Sequence, residues 1–396
     1  MKLYFATEAR FVKRGNTYYS LGGFSKLLWQ RYLRYFNELI VLARVSSDST
    51  ISVSKEMEAS CENVRFIELP YYVGLKGFLA NYKKIHNIIS SEIRNDGSYL
   101  CRLPGQIGGC LINVLNKRHI PYSCEIVGNP WDVFSKDSIT HPLRQLIRVI
   151  STIKLKRQVY KAQACLYVTK STLQKQYPHN EKAYSVGVSD VIINKETIAQ
   201  APKVLKPTGV YSLISVGSLA QMYKSPDIVL KALSILKKRG IETHLTWLGD
   251  GIFKNDMVNL AHSLGLNVDF KGNVSSQEVH NCLEESNIFI LASKTEGLPR
   301  ALIEAMAHGL PCIGSKVGGI PELLEDSVLV EKGNALQLAD TIERMITDVN
   351  FTNTQAARNL AEAQSFSEEK LEQLRSRFFN EIKHLNEHQV NTNPEN

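Results

Sequence analysis

The chain has 396 residues, 43% hydrophobic and 22% charged, with a formal net charge of +8. That length exceeds one ordinary core and fits two domains of roughly 150 to 200 residues, in a composition that excludes a disordered or fibrous protein. No run of about 18 apolar residues exists to span a membrane, residues 1–6 enter strand-like sequence without a signal peptide, and seven cysteines without a C-x-x-C pair argue against a disulfide frame or zinc centre. The expectation is a cytoplasmic protein with reduced thiols, no metal and no cofactor. Its positive charge suits acidic partners such as a nucleotide diphosphate or an anionic lipid.

Strand signals at residues 2–6, 38–44, 64–69, 98–103 and 122–127 alternate with helical patterns at 24–35, 78–93 and 106–116, the order of a parallel α/β sheet. Leu21-Gly22-Gly23-Phe24 leads the first helix, and Arg102 ends the fourth strand. After the fifth strand the chain reads Gly128-Asn129-Pro130-Trp131-Asp132. From Ser138 to Asn180 there is no acidic residue, while Arg144, Arg148, Lys154, Lys156, Arg157, Lys161, Lys170 and Lys175 accumulate, and between them Leu143, Leu146, Ile147, Ile150, Ile153 and Leu155 recur at roughly helical spacing. Two readings stand for this segment. It is a basic amphipathic helix on an anionic membrane surface, or a core-facing helix with a solvated basic outer face. Nucleic-acid binding is disfavoured, because no aromatic-basic RNA signature accompanies the basic residues. A strand at 166–169 and a helix at 171–176 complete the first series.

Periodicity fades before Pro207, giving an expected division into a first domain at 1–190, a linker at 191–207, a second domain at 208–366, a helix at 367–386 and a frayed polar tail at 387–396. The second series has strands at 211–216, 243–248, 268–270, 288–292, 311–314 and 328–330. Helices fit at 226–239, 253–264, 277–285, 299–308 and 335–349, with more helix over 354–384. Gly217-Ser218 ends its first strand, and Lys224 precedes Ser225-Pro226, read as an N-cap and first helical residue. Gly249-Asp250-Gly251 lacks the third glycine of a dinucleotide fingerprint, so a dehydrogenase is disfavoured.

The stretch from Ser293 to Pro311 carries most of the chemistry. Glu296 falls in the loop after a buried strand, and Glu304 lies inside the following helix, with Pro299 in its first turn. In open α/β sheets, ligands bind outside the carboxyl ends of strands and at helix N-termini. A carboxylate and unpaired N–H groups placed there suit a sugar hydroxyl beside a phosphate.

These residues, with Glu-Gly-Leu-Pro at 296–299, Glu-Ala-Met-Ala at 304–307 and Gly-Gly-Ile-Pro-Glu at 318–322, resemble the E-x7-E signature of retaining family 4 glycosyltransferases. The resemblance implies the GT-B fold: two doubly wound Rossmann-like domains facing across a cleft, with the C-terminal helix crossing back to the N-terminal domain. It implies that Glu296 contacts the transferred sugar and Glu304 the donor ribose. The turn Gly297, Leu298, Pro299, Arg300, Ala301 and Leu302 would face sugar and diphosphate. Lys224 matches a phosphate-binding lysine, while Ser218 stands where the family has an arginine, so Arg300 or helix N–H groups would cover the second phosphate. Gly217, Gly249, Asp250, Gly251 and Val274 match segments near the nucleoside, and Gly22 and Gly23 match the loop that closes over the diphosphate. Many relatives carry an acceptor-side histidine that this chain lacks. Asn129 or Asp132 would serve there, or the leaving phosphate itself would take the acceptor proton, with Trp131 and Arg102 as further contacts. The implied reaction is sugar transfer from a nucleotide-diphosphate donor to a saccharide or lipid-linked saccharide acceptor, in a cytoplasmic protein peripheral to the membrane. The rivals are a nucleotide-sugar epimerase and a non-catalytic nucleotide-sugar-binding protein.

Overall fold

Apolar strands and amphipathic helices alternate twice along the chain, and each series builds its own parallel sheet. The computed structural model describes residues 1–133, 143–206 and 209–392. Its contacts divide into a first unit of Met1–Pro130, Val149–Val188 and Gln373–Asn396, and a second of Trp131–Arg148 and Ser189–Glu372.

In chain order the first series runs β1 (Lys2–Arg14), β2 (Thr17–Ser20), α1 (Lys26–Leu33), β3 (Glu38–Ser46), β4 (Val64–Pro70), α2 (Gly74–Glu92), β5 (Gly97–Leu103) and α3 (Gln106–Lys117). It continues through β6 (Ser123–Ile126), α4 (Pro130–Val133), α5 (Arg144–Lys161), β7 (Ala164–Tyr167), α6 (Thr172–Gln176) and β8 (Tyr184–Gly187). The sheet order is β4-β3-β1-β5-β6-β7-β8, parallel throughout. β2 alone pairs antiparallel, on β1.

β1 extends well beyond residue 6. A bulge between Ala6 and Arg10 re-aims it, Phe11 and Val12 are fully buried, and Gly15 at φ 57° turns the chain into β2. One face of this sheet is an aromatic cluster in which Trp29 meets Phe5, Phe11 and Phe66. The final helix supplies part of it: Phe379 packs its ring against Tyr32, Tyr35 and Phe36. The chain therefore ends on the unit in which it began, as the resemblance implies.

The second series runs β9 (Tyr211–Val216), α7 (Pro226–Lys238), β10 (Thr243–Leu248), α8 (Lys254–Ser263), β11 (Asn267–Gly272), α9 (Ser276–Glu285), β12 (Ile288–Leu291) and α10 (Arg300–Ala307). β13 (Cys312–Ser315), α11 (Ile320–Leu323), β14 (Leu329–Val330), α12 (Ala335–Thr347), α13 (Val349–Ala363) and α14 (Glu368–Thr392) complete it. Its sheet, β11-β10-β9-β12-β13-β14, is entirely parallel. β12 is buried along its whole length, as expected of a strand covered on both faces.

Further expectations change at the helix ends. Pro299 caps α10 from an extended conformation instead of entering its first turn. The helix expected over 354–384 breaks at the turn Gln364–Phe366, where Phe366 is buried and its carbonyl accepts from Ile193 N–H. The tail expected to fray from 387 is helical to Thr392, because α14 continues without a breaker; 393–396 lie outside the described residues.

Candidate active site

In the second sheet the chain leaves β9 in one direction toward β10 and returns on its other side as β12. The carboxyl ends of β9 and β12 therefore flank a topological switch point, where open α/β sheets bind ligands. The loop after β9 carries Gly217, Ser218 and Lys224, and the loop after β12 carries Ser293 to Pro299. Across this point the Lys224 ammonium lies 2.6 Å from Glu296 Oε1, and Ser293 Oγ donates to the same oxygen at 2.5 Å. Only 13% of the lysine side chain and 9% of the glutamate side chain are exposed. The acid and base singled out in the sequence thus form one largely desolvated pair. Since Oε1 takes both donors, Oε2 is the oxygen left to a ligand.

Glycines set the position of both partners. A Cβ on Gly217 would lie 2.9 Å from Lys224 Cγ, so the lysine stem crosses directly over that glycine. A Cβ on Gly318, at φ 54°, would fall 1.9 Å from the Glu296 carbonyl oxygen, and Gly319 N–H donates to the Gly297 carbonyl at 2.8 Å. The Gly-Gly pair after β13 therefore holds the Glu296 loop by its backbone. Gly249 and Gly251 play a comparable part after β10. Side chains there would strike the Gly217 carbonyl and the backbone of Leu219 and Ala220. Asp250 Oδ1 accepts from Gly251 N–H, and its carbonyl accepts from Leu219 N–H.

Ser218, in place of an arginine, turns its hydroxyl to the Asp250 carbonyl at 3.2 Å and accepts from Ala220 N–H at 3.1 Å. It braces the loop. Val274 is half-buried against the core beside the end of β11. Glu304 is paired with Arg300 along α10, at 2.8 Å. The arginine proposed for the second phosphate is therefore engaged with the glutamate proposed for the ribose. Leu302 is fully buried, Leu298 and Ala301 are partly so, and Gly297 is exposed. At the far end of α10, His308 Nδ1 lies 2.8 Å from the Glu304 carbonyl, and burial holds its pKa below the usual histidine value.

Sequence reasoning missed the state of Ser225. It occupies the cap position of α7, but at φ 53° and ψ 49°, with no capping bond from its side chain. Its hydroxyl is buried and meets no hydrogen-bond partner among the described residues. A left-handed residue other than glycine is strained by roughly 1–2 kcal/mol, and the orphaned hydroxyl adds a desolvation penalty. Glycine relieves both at some cost in unfolded-chain entropy. Ser225→Gly is therefore expected to raise stability by about 1 kcal/mol, read as an upward shift in the unfolding midpoint. A lowered midpoint would show that the serine is stabilising where it stands.

Of the remaining sequence-predicted residues, Gly22, Gly23, Arg102 and Asn129 belong to the first unit, and Trp131 and Asp132 to the second. Gly22 and Gly23 follow β2 in the first unit, where Ser20 Oγ accepts from Gly22 and Phe24 N–H. Arg102 pairs with buried Glu125 at 2.8 Å, and Asn129 accepts from the Tyr177 hydroxyl. Trp131 is half-exposed beneath the Arg148 guanidinium, 3.8 Å from its ring centre. The Asp132 side chain lies outside the described residues.

Residues 196–363 match the family described as glycosyl transferases group 1. The chain is 27% identical over 363 residues to Protein CapJ of Staphylococcus aureus, covering 91% of this chain and 90% of that protein. It is 32% identical over 133 residues, 32% of this chain and 36% of that protein, to a Campylobacter jejuni enzyme described as a GalNAc-alpha-(1->4)-GalNAc-alpha-(1->3)-diNAcBac-PP-undecaprenol alpha-1,4-N-acetyl-D-galactosaminyltransferase. Among solved structures it resembles sucrose-phosphate synthase from Thermosynechococcus elongatus, with a TM-score of 0.68 at 13% identity over 97% of this chain and 99% of that one.

Proposed function

We propose, from the premise that the chain belongs to the glycosyl transferases group 1 through residues 196–363 and has the GT-B fold, that it moves a hexose-type sugar from a nucleotide-diphosphate donor to a saccharide hydroxyl, with retention at the anomeric carbon. The observation that carries this reading is the desolvated Lys224–Glu296 pair at the switch point of the second sheet. A lone lysine there would only bind anions. A lysine beside an oriented carboxylate suits a ligand that is anionic at one end and becomes cationic at its neighbouring carbon.

In this mechanism the bond between the anomeric carbon and the diphosphate oxygen breaks, and its electron pair leaves on the phosphate. Lys224 and the first N–H groups of α10 stabilise that developing charge, the preorganised electrostatic form of catalysis. Glu296 supports the oxocarbenium-like centre. The acceptor oxygen bonds to the same face of the carbon, and its proton passes to the departing phosphate oxygen. Glu304 releases Arg300 to hold the ribose, which frees the guanidinium for the second phosphate. On the acceptor side, Arg102 and Asn129 are the proposed contacts. A lipid-linked saccharide is the proposed acceptor, as the Campylobacter jejuni relative is named for an undecaprenol-linked substrate, and the proposed location is the cytoplasmic membrane face.

A thermal-shift screen of nucleotide sugars, followed by mass analysis with lipid-linked acceptors, tests this reading. One donor is expected to stabilise the protein and to lose its sugar only when acceptor is present. Conversion of donor without acceptor would instead indicate an epimerase, and binding without turnover a non-catalytic protein. With that donor, Glu304→Ala is expected to raise donor KM about tenfold with little change in kcat, as loss of a ground-state contact should.

A further inference from the structure

Helix α5 is apolar on two sides. Leu155 and Val159 are buried in the first unit's core, so Leu155 of the stripe read from the sequence lies on the core face and the stripe divides. Leu146, Ile150 and Ile153 on that stripe are 56%, 55% and 45% exposed, and Tyr160 two turns on is exposed as well. Between α5 and α3 lies an open groove of about 580 Å³, with Ile150, Ile153, Asn113, Lys154, Arg157 and Lys161 in its wall. Every charged residue lining it is a cation.

We propose that this groove binds the anionic phospholipid surface of a bilayer, with headgroup phosphate on Lys154, Arg157 and Lys161 and the adjoining lipid carbons on Ile150 and Ile153. Charge complementarity selects the sign of the partner, and the exposed isoleucines select its kind. Branched aliphatic side chains gain by leaving water for hydrocarbon, whereas they offer a nucleic acid no stacking surface. Ile150, Ile153, Lys154, Arg157 and Lys161 share one wall of the groove, so the phosphate and hydrocarbon contacts fall side by side. No described helix is long and apolar enough to cross a membrane, so the attachment is peripheral. The groove is built from residues of the first unit, and the Lys224–Glu296 pair from residues of the second.

Flotation with lipid vesicles, without donor or acceptor, tests the proposal, and its outcome is independent of the transferase reading. The full chain is expected to float with phosphatidylglycerol vesicles and not with phosphatidylcholine. Lys154→Gln, Arg157→Gln and Lys161→Gln together should weaken partitioning about a hundredfold, each cation contributing roughly fivefold. Ile150→Ser with Ile153→Ser, at exposed positions that spare the core, should weaken it about tenfold. A control removing Lys55, Lys231 and Lys238, exposed cations elsewhere, should weaken it far less. The proposal is overturned if the control loses as much as the groove variant, if phosphatidylcholine binds equally, or if the isoleucine variant binds like the original chain. High affinity for RNA or an acidic polypeptide with none for phosphatidylglycerol would also overturn it.

Discussion

Glu296→Gln is expected to lower kcat for sugar transfer by about 10²- to 10³-fold, the range seen when one preorganised transition-state group is removed, while donor KM holds or falls. Glutamine has the shape of glutamate and can still accept from Lys224 and Ser293 through one oxygen. What disappears is the negative charge beside the anomeric carbon, needed only when that carbon becomes cationic. Lys224 at the same time loses its counter-ion, and its full charge acts on the donor diphosphate. Binding and turnover should therefore move in opposite senses. A purely structural ion pair would change the unfolding midpoint and leave kcat alone; wild-type turnover in this variant would sink the assignment of Glu296.

Lys224→Ala should lower kcat/KM by at least about a hundredfold, since charge-assisted contacts to a leaving phosphate are among the strongest available in a desolvated site. The variant also leaves the largely buried Glu296 carboxylate without its partner, which costs on the order of 3 kcal/mol of stability. The two losses separate in the double variant Lys224→Ala, Glu296→Gln. Removing the uncompensated charge should restore the midpoint and leave activity low, whereas recovered activity would show that the lysine serves only to balance the glutamate. Gly217→Ala should resemble Lys224→Ala more mildly, because its methyl carbon would fall 2.9 Å from Lys224 Cγ and push the stem aside.

Of the strands that carry the proposed donor site, β12 reads as an unbroken apolar run, as a parallel strand covered on both faces does, while β9 and β10 carry serine or threonine between their apolar residues. β9 and β10 coincide with the expected bounds, and β12 differs only at its last residue. The β1–β2 hairpin was not legible. Arg10, Lys13 and Arg14 interrupt the pattern, and only the turn at Gly15 and the burial of Phe11 show that the strand continues. β8 was missed for a different reason. Its four residues are all half-buried, without the alternation or apolar run that marks a strand.

At the site, the resemblance put Lys224 and Glu296 around one donor but gave no direct bond between them. Their contact spans 72 positions, and one chain carries no signal for such a pairing. The Arg300–Glu304 bond was within reach, since four residues along a helix bring side chains together. It was not drawn, and it ties the arginine assigned to phosphate to the glutamate assigned to ribose. Ser225 looked like an ordinary cap because residue type says nothing of the sign of φ.

The absence of a side chain at Gly318 restricts how the pocket can diversify. With its α-carbon pressed against the Glu296 carbonyl, the segment before α10 has no slack in which to take up an added residue or a shifted register. Under the proposed assignment of Glu296, new sugar preferences would come from exchanging the groups around Oε2, within an unchanged main-chain course.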